Sequence, residues 1–194
     1  MSPLQTKPHV VGPNILVIGD SCAGKTTLAA ALASRHGLRH VELDALNWGP
    51  NWTMAETDLF RQRTREAVAE PRWAIDGNYD KYVGDITWPA ADTIVWLDFP
   101  LGLILRRILA RSWRRWRRRE LLWGTNRERF WEHFLPWDRS LVWYTLKRHR
   151  PRRRRYAESM DDPQWANARF ERLRSPSAVE RWLRSTELAS TDLA

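Results

Sequence analysis

Eight consecutive residues carry the clearest chemistry in this chain: Gly19, Asp20, Ser21, Cys22, Ala23, Gly24, Lys25 and Thr26. They fit the phosphate-loop pattern G-x-x-x-x-G-K-[ST]. Each fixed position has a physical task. The glycines let the backbone curl so that successive N–H groups converge on phosphate oxygens. The Lys25 ammonium reaches the β- and γ-phosphates, and the Thr26 hydroxyl, followed by Thr27, is placed to hold Mg²⁺. Cys22 is the only cysteine, so the chain forms no intrachain disulfide, and a cytoplasmic setting is expected. Within the loop, Cys22 reads first as a small residue that fits there. A helix start beside it would lower its thiol pKa and expose the loop to thiol reagents.

Three carboxylates fall at the ends of apolar runs, where open α/β sheets build their sites. Asp76 closes Trp73–Asp76 and is placed to orient Mg²⁺ or its waters beside the phosphate loop. Asp44 follows His40–Leu43. It either faces an acceptor hydroxyl, as its holder or base, or serves as a turn or cap residue. Asp98, ahead of Pro100, reads as a strand-end residue.

The elements that must position these groups follow from periodicity. Asn14–Ile18 is a short apolar run that reads as a buried parallel strand. Thr26–His36 reads as a helix, with Leu28, Ala31 and Leu32 apolar and Gly37 as its stop. Further strands are expected at His40–Leu43, Trp73–Asp76, Asp92–Phe99 and Ala168–Leu173. Thr53 and Glu56 match a capping box that opens a helix to about Glu70, ended by Pro71. Gly77–Pro89 reads as a loop. A helix begins at Pro100, with Leu101, Ile104, Leu105, Ile108 and Leu109 on its apolar face. A second is expected from Arg127 to about Arg148, and Arg152–Arg155 is a charge run. Ser175 and Pro176 open a last helix reaching Glu187. Strands alternate with helices throughout. The expected class is α/β: one P-loop NTPase domain over residues 14–188, with a five-stranded parallel sheet flanked by helices. Residues 1–13 are expected to be a flexible leader and 189–194 a tail.

The chain has 194 residues, enough for one sizeable core, and its hydrophobic content of 43% is ordinary for a globular protein. No apolar run approaches the length of a membrane span. The formal net charge of +9 is unevenly placed: from Leu101 to Arg155 there are 18 Lys and Arg against 4 Asp and Glu. Such a segment either meets something acidic or stays heavily solvated. Thirteen tryptophans are many for this length. Trp96 lies within an apolar strand and is expected in the core. Trp113, Trp116 and Trp123 alternate with arginines, a composition that suits single-stranded nucleic acid but also a helical hairpin with an apolar seam.

Ala74-Ile-Asp-Gly77, Asp98-Phe-Pro100 and Arg107-Ile-Leu-Ala-Arg111 together resemble the adenylate-kinase group of phosphate-loop kinases. Leu43–Trp48 and Asp76–Tyr79 are similar to stretches in the related proteins labelled DNA topology modulation proteins. The resemblance spans roughly residues 14–183. It implies ATP and Mg²⁺ as cofactors and an Arg-rich lid over about 101–155. It implies that Asp76 arranges the waters of the metal, that Arg107 packs on the adenine and that Arg111 reaches the phosphates. It further implies that Arg174-Ser175-Pro176 wraps the adenine and that Arg127 is a lid arginine. Adenylate kinases carry an arginine four residues after the Asp-Gly aspartate, where it grips the acceptor phosphate. Here that position is Asp80, beside Lys81, so the acceptor is expected to be a small molecule other than AMP. The alternative expectation is a nucleotide-dependent nucleic-acid-binding protein that uses the Arg/Trp-rich segment.

Overall fold

The computed structural model describes residues 9–118, 121–122, 126–127 and 140–189. Its centre is a five-stranded, all-parallel sheet. In chain order the elements are β1 (His9–Val11), β2 (Asn14–Gly19), α1 (Lys25–His36), β3 (Arg39–Glu42), α2 (Leu43–Asn47), α3 (Thr57–Ala69), β4 (Trp73–Asp76), α4 (Asp80–Thr87) and β5 (Thr93–Leu97). There follow α5 (Leu101–Arg118), β6 (Leu121–Leu122), β7 (Asn126–Arg127), α6 (Leu141–Met160), β8 (Arg169–Leu173), α7 (Pro176–Ser185) and β9 (Thr186–Leu188). The sheet runs β3-β4-β2-β5-β8. The chain leaves β2 toward one edge and returns to its other side at β5, so the switch point lies at the carboxyl end of β2, where ligands of such sheets sit.

The three central strands, β4, β2 and β5, are buried on both faces because both are covered. Ile15 and Val17 pack into one core with Leu28 and Leu32 of α1, Ile104 and Ile108 of α5, and Trp182 of α7. Leu16 and Ile18 face a second core with Phe60 of α3, Val83 of α4, Trp96 of β5 and Tyr156 of α6. Trp96 is thus core, as expected from its strand. The five expected sheet strands all form, each within a residue or two of the bounds read from sequence; the largest change is β5, which is Thr93–Leu97. Just before it, the Asp92 carboxylate accepts the Asn14 backbone N–H at 2.9 Å.

Elsewhere the structure departs from the sequence reading. Residues 9–11 of the expected flexible leader form β1, which pairs in parallel with β9. Val11 is buried there, which ties the segment down. The last helix ends at Ser185 because Thr186 turns into β9, its hydroxyl donating to the Trp182 carbonyl at 2.6 Å. The capping box does not form: Glu56 is the N-cap without a side-chain bond, and the Thr53 hydroxyl instead donates to the Pro50 carbonyl at 2.7 Å. Most of the expected loop 77–89 is α4, whose Val83, Gly84 and Thr87 are buried, Val83 within the second core. The second basic helix lies further along the chain than expected, at Leu141–Met160; residues 128–139 of the expected helix lie outside the described residues. Arg152–Arg155 is therefore helical. Leu109, assigned to the apolar face of α5, is 40% exposed. No helix among the described residues is long and apolar enough to cross a membrane.

Candidate nucleotide-binding site

β2 ends at Gly19, and the chain turns through residues 20–24 into α1. Gly24 is the helix N-cap at φ 102°, a left-handed conformation that a side chain rarely adopts. Cys22 holds φ 61° without being glycine, which is local strain inside the loop. The loop is braced from three sides. The Asn78 amide bonds both backbone groups of Gly19: its Oδ1 accepts the Gly19 N–H at 3.2 Å and its Nδ2 donates to the Gly19 carbonyl. Arg107 Nη1 donates to the Ala23 carbonyl at 2.8 Å, with its guanidinium 5.1 Å from the centre of the Phe99 ring. Lys25 Nζ donates to the Asp20 carbonyl at 3.2 Å. Desolvation lowers the Lys25 pKa, while the nearby carboxylates of Asp44 and Asp76 pull the other way.

The carboxyl end of β4 supplies the next group. Asp76, almost fully buried, accepts the Thr26 hydroxyl on Oδ1 at 2.8 Å, and its Oδ2 lies 3.0 Å from His40 Nε2. Thr26 and Thr27 themselves are exposed at the mouth of the loop. A buried carboxylate against a threonine hydroxyl is a hard-oxygen pair. It fits Mg²⁺, which takes one or two protein oxygens and completes its shell with water and phosphate. Among the described residues no group of three or more His, Cys, Asp or Glu is arranged to cage a metal. After β4 the chain turns at Gly77, which has φ 154°; a Cβ there would lie 2.7 Å from that of Leu43. This close approach seats α2, and with it Asp44, beside β4.

Asp44 lies in the first turn of α2 and not at a strand end, because β3 stops at Glu42. Its Oδ1 accepts the Tyr79 hydroxyl at 2.6 Å, and Asn47 Nδ2 donates to the same hydroxyl at 3.4 Å. Burial and the Asp44 charge push the Tyr79 pKa up, so the phenol stays protonated and donating.

The other expected residues fall as follows. Arg111 is one turn beyond Arg107 on α5, Pro176 is the first residue of α7 after its N-cap Ser175, and Arg174 precedes that cap. Arg127 ends β7; its side chain, and all of Trp123, lie outside the described residues. Asp98 is a strand-end residue and more. Its side chain is 2% exposed and meets Arg172 at 2.7 Å, Arg153 at 2.8 Å and Arg174 at 4.0 Å. Asp80 is not a bare acid. It accepts the Tyr156 hydroxyl at 2.8 Å, is paired with Arg155 and lies 3.4 Å from Trp88 Nε1.

Ile104 and Ile108 of α5 lie in one core, and α6 sends Tyr156, just past the basic segment 101–155, into the other. Sequence reasoning missed His40, Asn78 and Tyr79 as partners of the site, although Asn78 and Tyr79 follow Asp76 and Gly77 directly. It also missed His149 and Arg152, which pair with Asp20 across more than a hundred residues.

No protein-family model and no curated protein sequence matches the chain. Solved structures with a related shape include a sugar kinase from Janibacter sp. HTCC2649 (18% identity, TM-score 0.48, 88% of this chain and 92% of that one). A gluconokinase from Sinorhizobium meliloti 1021 is similar at 16% identity and TM-score 0.49, over 91% of this chain and 90% of that one. A shikimate kinase from Bacteroides thetaiotaomicron is similar at 15% identity and TM-score 0.48, over 88% and 93%. Likeness of this degree carries no statement about activity. The α/β fold, with its parallel five-stranded sheet and phosphate loop at the switch point, rests on the strand order described above.

Proposed function

We propose that the chain is a Mg²⁺- and ATP-dependent phosphotransferase acting on a small, hydroxyl-bearing molecule. The observation that carries this reading is the Thr26–Asp76 hydrogen bond at the mouth of a phosphate loop, with Lys25 beside it and Asp44 nearby. The loop N–H groups and Lys25 would bind the polyphosphate and stabilise charge that develops during transfer. Thr26 and Asp76 would hold Mg²⁺, which when bound neutralises phosphate charge. Arg107, one side of which already braces the loop, would stack on the base, with Arg174 and Pro176 at its other edge. Arg111 and Arg127 would serve the phosphates from the lid side; these two roles rest on the resemblance alone.

On the acceptor side, Asp44 is the base or holder for a hydroxyl, and the protonated Tyr79 phenol fixes its carboxylate orientation. Asp80 occupies the position where an acceptor phosphate would be gripped, and it is already bonded to Tyr156 and Arg155. That engagement favours an acceptor without a phosphate group over AMP. The test is ADP release from Mg·ATP with nucleosides, nucleotides and hydroxyl metabolites as acceptors, in wild type and Lys25→Ala. A Lys25-dependent rise with one non-phosphorylated acceptor class supports the reading. Rapid ADP formation from ATP plus AMP would remove the acceptor assignment.

A further inference from the structure

Asp20 puts a negative charge at a free position of the phosphate loop. Such a loop exists to gather negative charge, and this one contributes a carboxylate of its own. The structure shows how that charge is held. Asp20 is 8% exposed; its Oδ1 accepts Arg152 Nη1 at 2.5 Å, and its Oδ2 lies 2.5 Å from His149 Nδ1. Both partners come from α6, three residues apart and so on one face of the helix. The Arg152 and His149 side chains are nearly buried in this contact, at 10% and 7% exposure. Arg152 is also fixed from behind: its Nη2 donates to the Tyr144 hydroxyl at 3.2 Å, and its guanidinium lies 5.8 Å from the centre of that ring. Asp20 and Tyr144 thus engage two of the five guanidinium N–H donors, and a guanidinium can address several oxygens at once. Arg152 is close enough to Lys25 to oppose its positive charge, so it acts in the same field as the phosphate-binding lysine.

We propose that Asp20, His149 and Arg152 form a charge clamp through which α6 completes the nucleotide site. With α6 docked, the loop carboxylate is neutralised and Arg152 is presented to the polyphosphate. Without Arg152, the same carboxylate repels the polyphosphate. Asp20 is then a positioning residue, acting through Arg152. This inference rests on the reading of residues 19–27 as a nucleotide site.

The experiment is a double-variant cycle on the full chain, read as the affinity for a non-hydrolysable Mg·ATP analogue at constant ionic strength. Arg152→Met is expected to weaken binding ~10–100-fold, in the range of buried charge partners at binding sites. Asp20→Asn with Arg152→Met should recover roughly 3–10-fold relative to Arg152→Met alone, since the repelling charge is gone and close charges couple strongly. Arg154→Ala removes an equal charge from the same helix, but its side chain is 84% exposed and paired only with Glu158; it should bind like wild type. A purely structural contact would give the opposite pattern, the second substitution adding to the first. If Arg152→Met does not fold, Arg152→Lys, which keeps the charge and loses the fork, enters the same cycle with a smaller expected loss and the same sign of recovery. A double variant no tighter than the single one, or equal weakening by Arg154→Ala, overturns the clamp while leaving the nucleotide site standing. Wild-type chain that fails to bind the analogue overturns the nucleotide-site reading itself, and the clamp with it.

Discussion

The phosphate loop and helix α6 are both rich in polar and charged residues, yet they relate to their sequence in opposite ways. In the loop, eight neighbouring residues make a local structure whose form follows from their own spacing, and the fold sets Asp76 beside it. In α6, three of four neighbouring arginines reach partners remote in the chain. Arg152 pairs with Asp20, Arg153 with Asp98 and Arg155 with Asp80, while only Arg154 pairs within the helix, with Glu158. A run of basic residues that reads as a surface for an acidic partner is, in this fold, a strap. Three of its arginines bind the loop, the carboxyl end of β5 and the start of α4. The lesson is that charge density along a sequence does not reveal whether the charge faces outward; the partners decide it. Arg152, Arg153 and Arg155 are thus each engaged by a carboxylate of the fold, while Arg154 stays exposed.

The loop side of the comparison should give the largest effect on turnover. Asp76→Asn keeps the shape of the carboxylate and removes its charge, so ADP formation should fall by ~10²–10³, the range for losing one electrostatic contributor to phosphoryl transfer, while the thermal midpoint changes little. Retained turnover would show that Asp76 only orders Thr26 and His40. The strap side should show in stability instead. Asp98→Ala strips a carboxylate that is 2% exposed and leaves Arg153 and Arg172 facing each other, which should cost about 3 kcal/mol in denaturant unfolding. A change near zero would mean that the strap is a surface contact.

A smaller effect should come from Tyr79→Phe, about 1 kcal/mol for one buried hydrogen bond to Asp44. It also has a pH signature. Because the Tyr79 pKa is raised above its unfolded value near 10, its contribution is complete below about pH 10 and is lost as pH rises beyond it. The wild-type chain should therefore lose stability in that alkaline range more steeply than Tyr79→Phe, as followed by urea midpoints from pH 8 to 11. The smallest effect belongs to Arg154→Ala, whose exposed pair should leave the midpoint where it is. A loss comparable to that of Asp98→Ala would erase the distinction between the strap contacts and an ordinary surface pair.

Much of the sheet was legible because its central strands are buried on both faces and so read as continuous apolar runs. Asn14–Ile18 and Thr93–Leu97 need no partner to be recognised. The loop was legible for the same reason: its determinants are contiguous. What escaped was decided at a distance. Gly84 and two aspartates made 77–89 look like a loop, but Val83 and Thr87 pack inward and Asp80 is satisfied by Tyr156 of α6, so the segment is helical. Residues 9–11 carry no strand pattern long enough to stand alone and become ordered only by pairing with Thr186–Leu188. Asn78 and His40 brace the site through geometry that only the juxtaposition of β2, β3 and β4 creates. Exposed Trp113 and Trp116, with ring centres 5.2 Å apart, mark one part of the basic segment that faces outward.

A phosphotransferase is defined by where the γ-phosphate of ATP goes. Incubating the full chain with Mg²⁺, γ-labelled ATP and the acceptor panel, and separating the products, answers this in one measurement. The expected result is label on a non-phosphorylated, hydroxyl-bearing small molecule in wild type and none with Lys25→Ala. Label that remains in ATP with every acceptor, or appears as inorganic phosphate alone whatever acceptor is present, would contradict it.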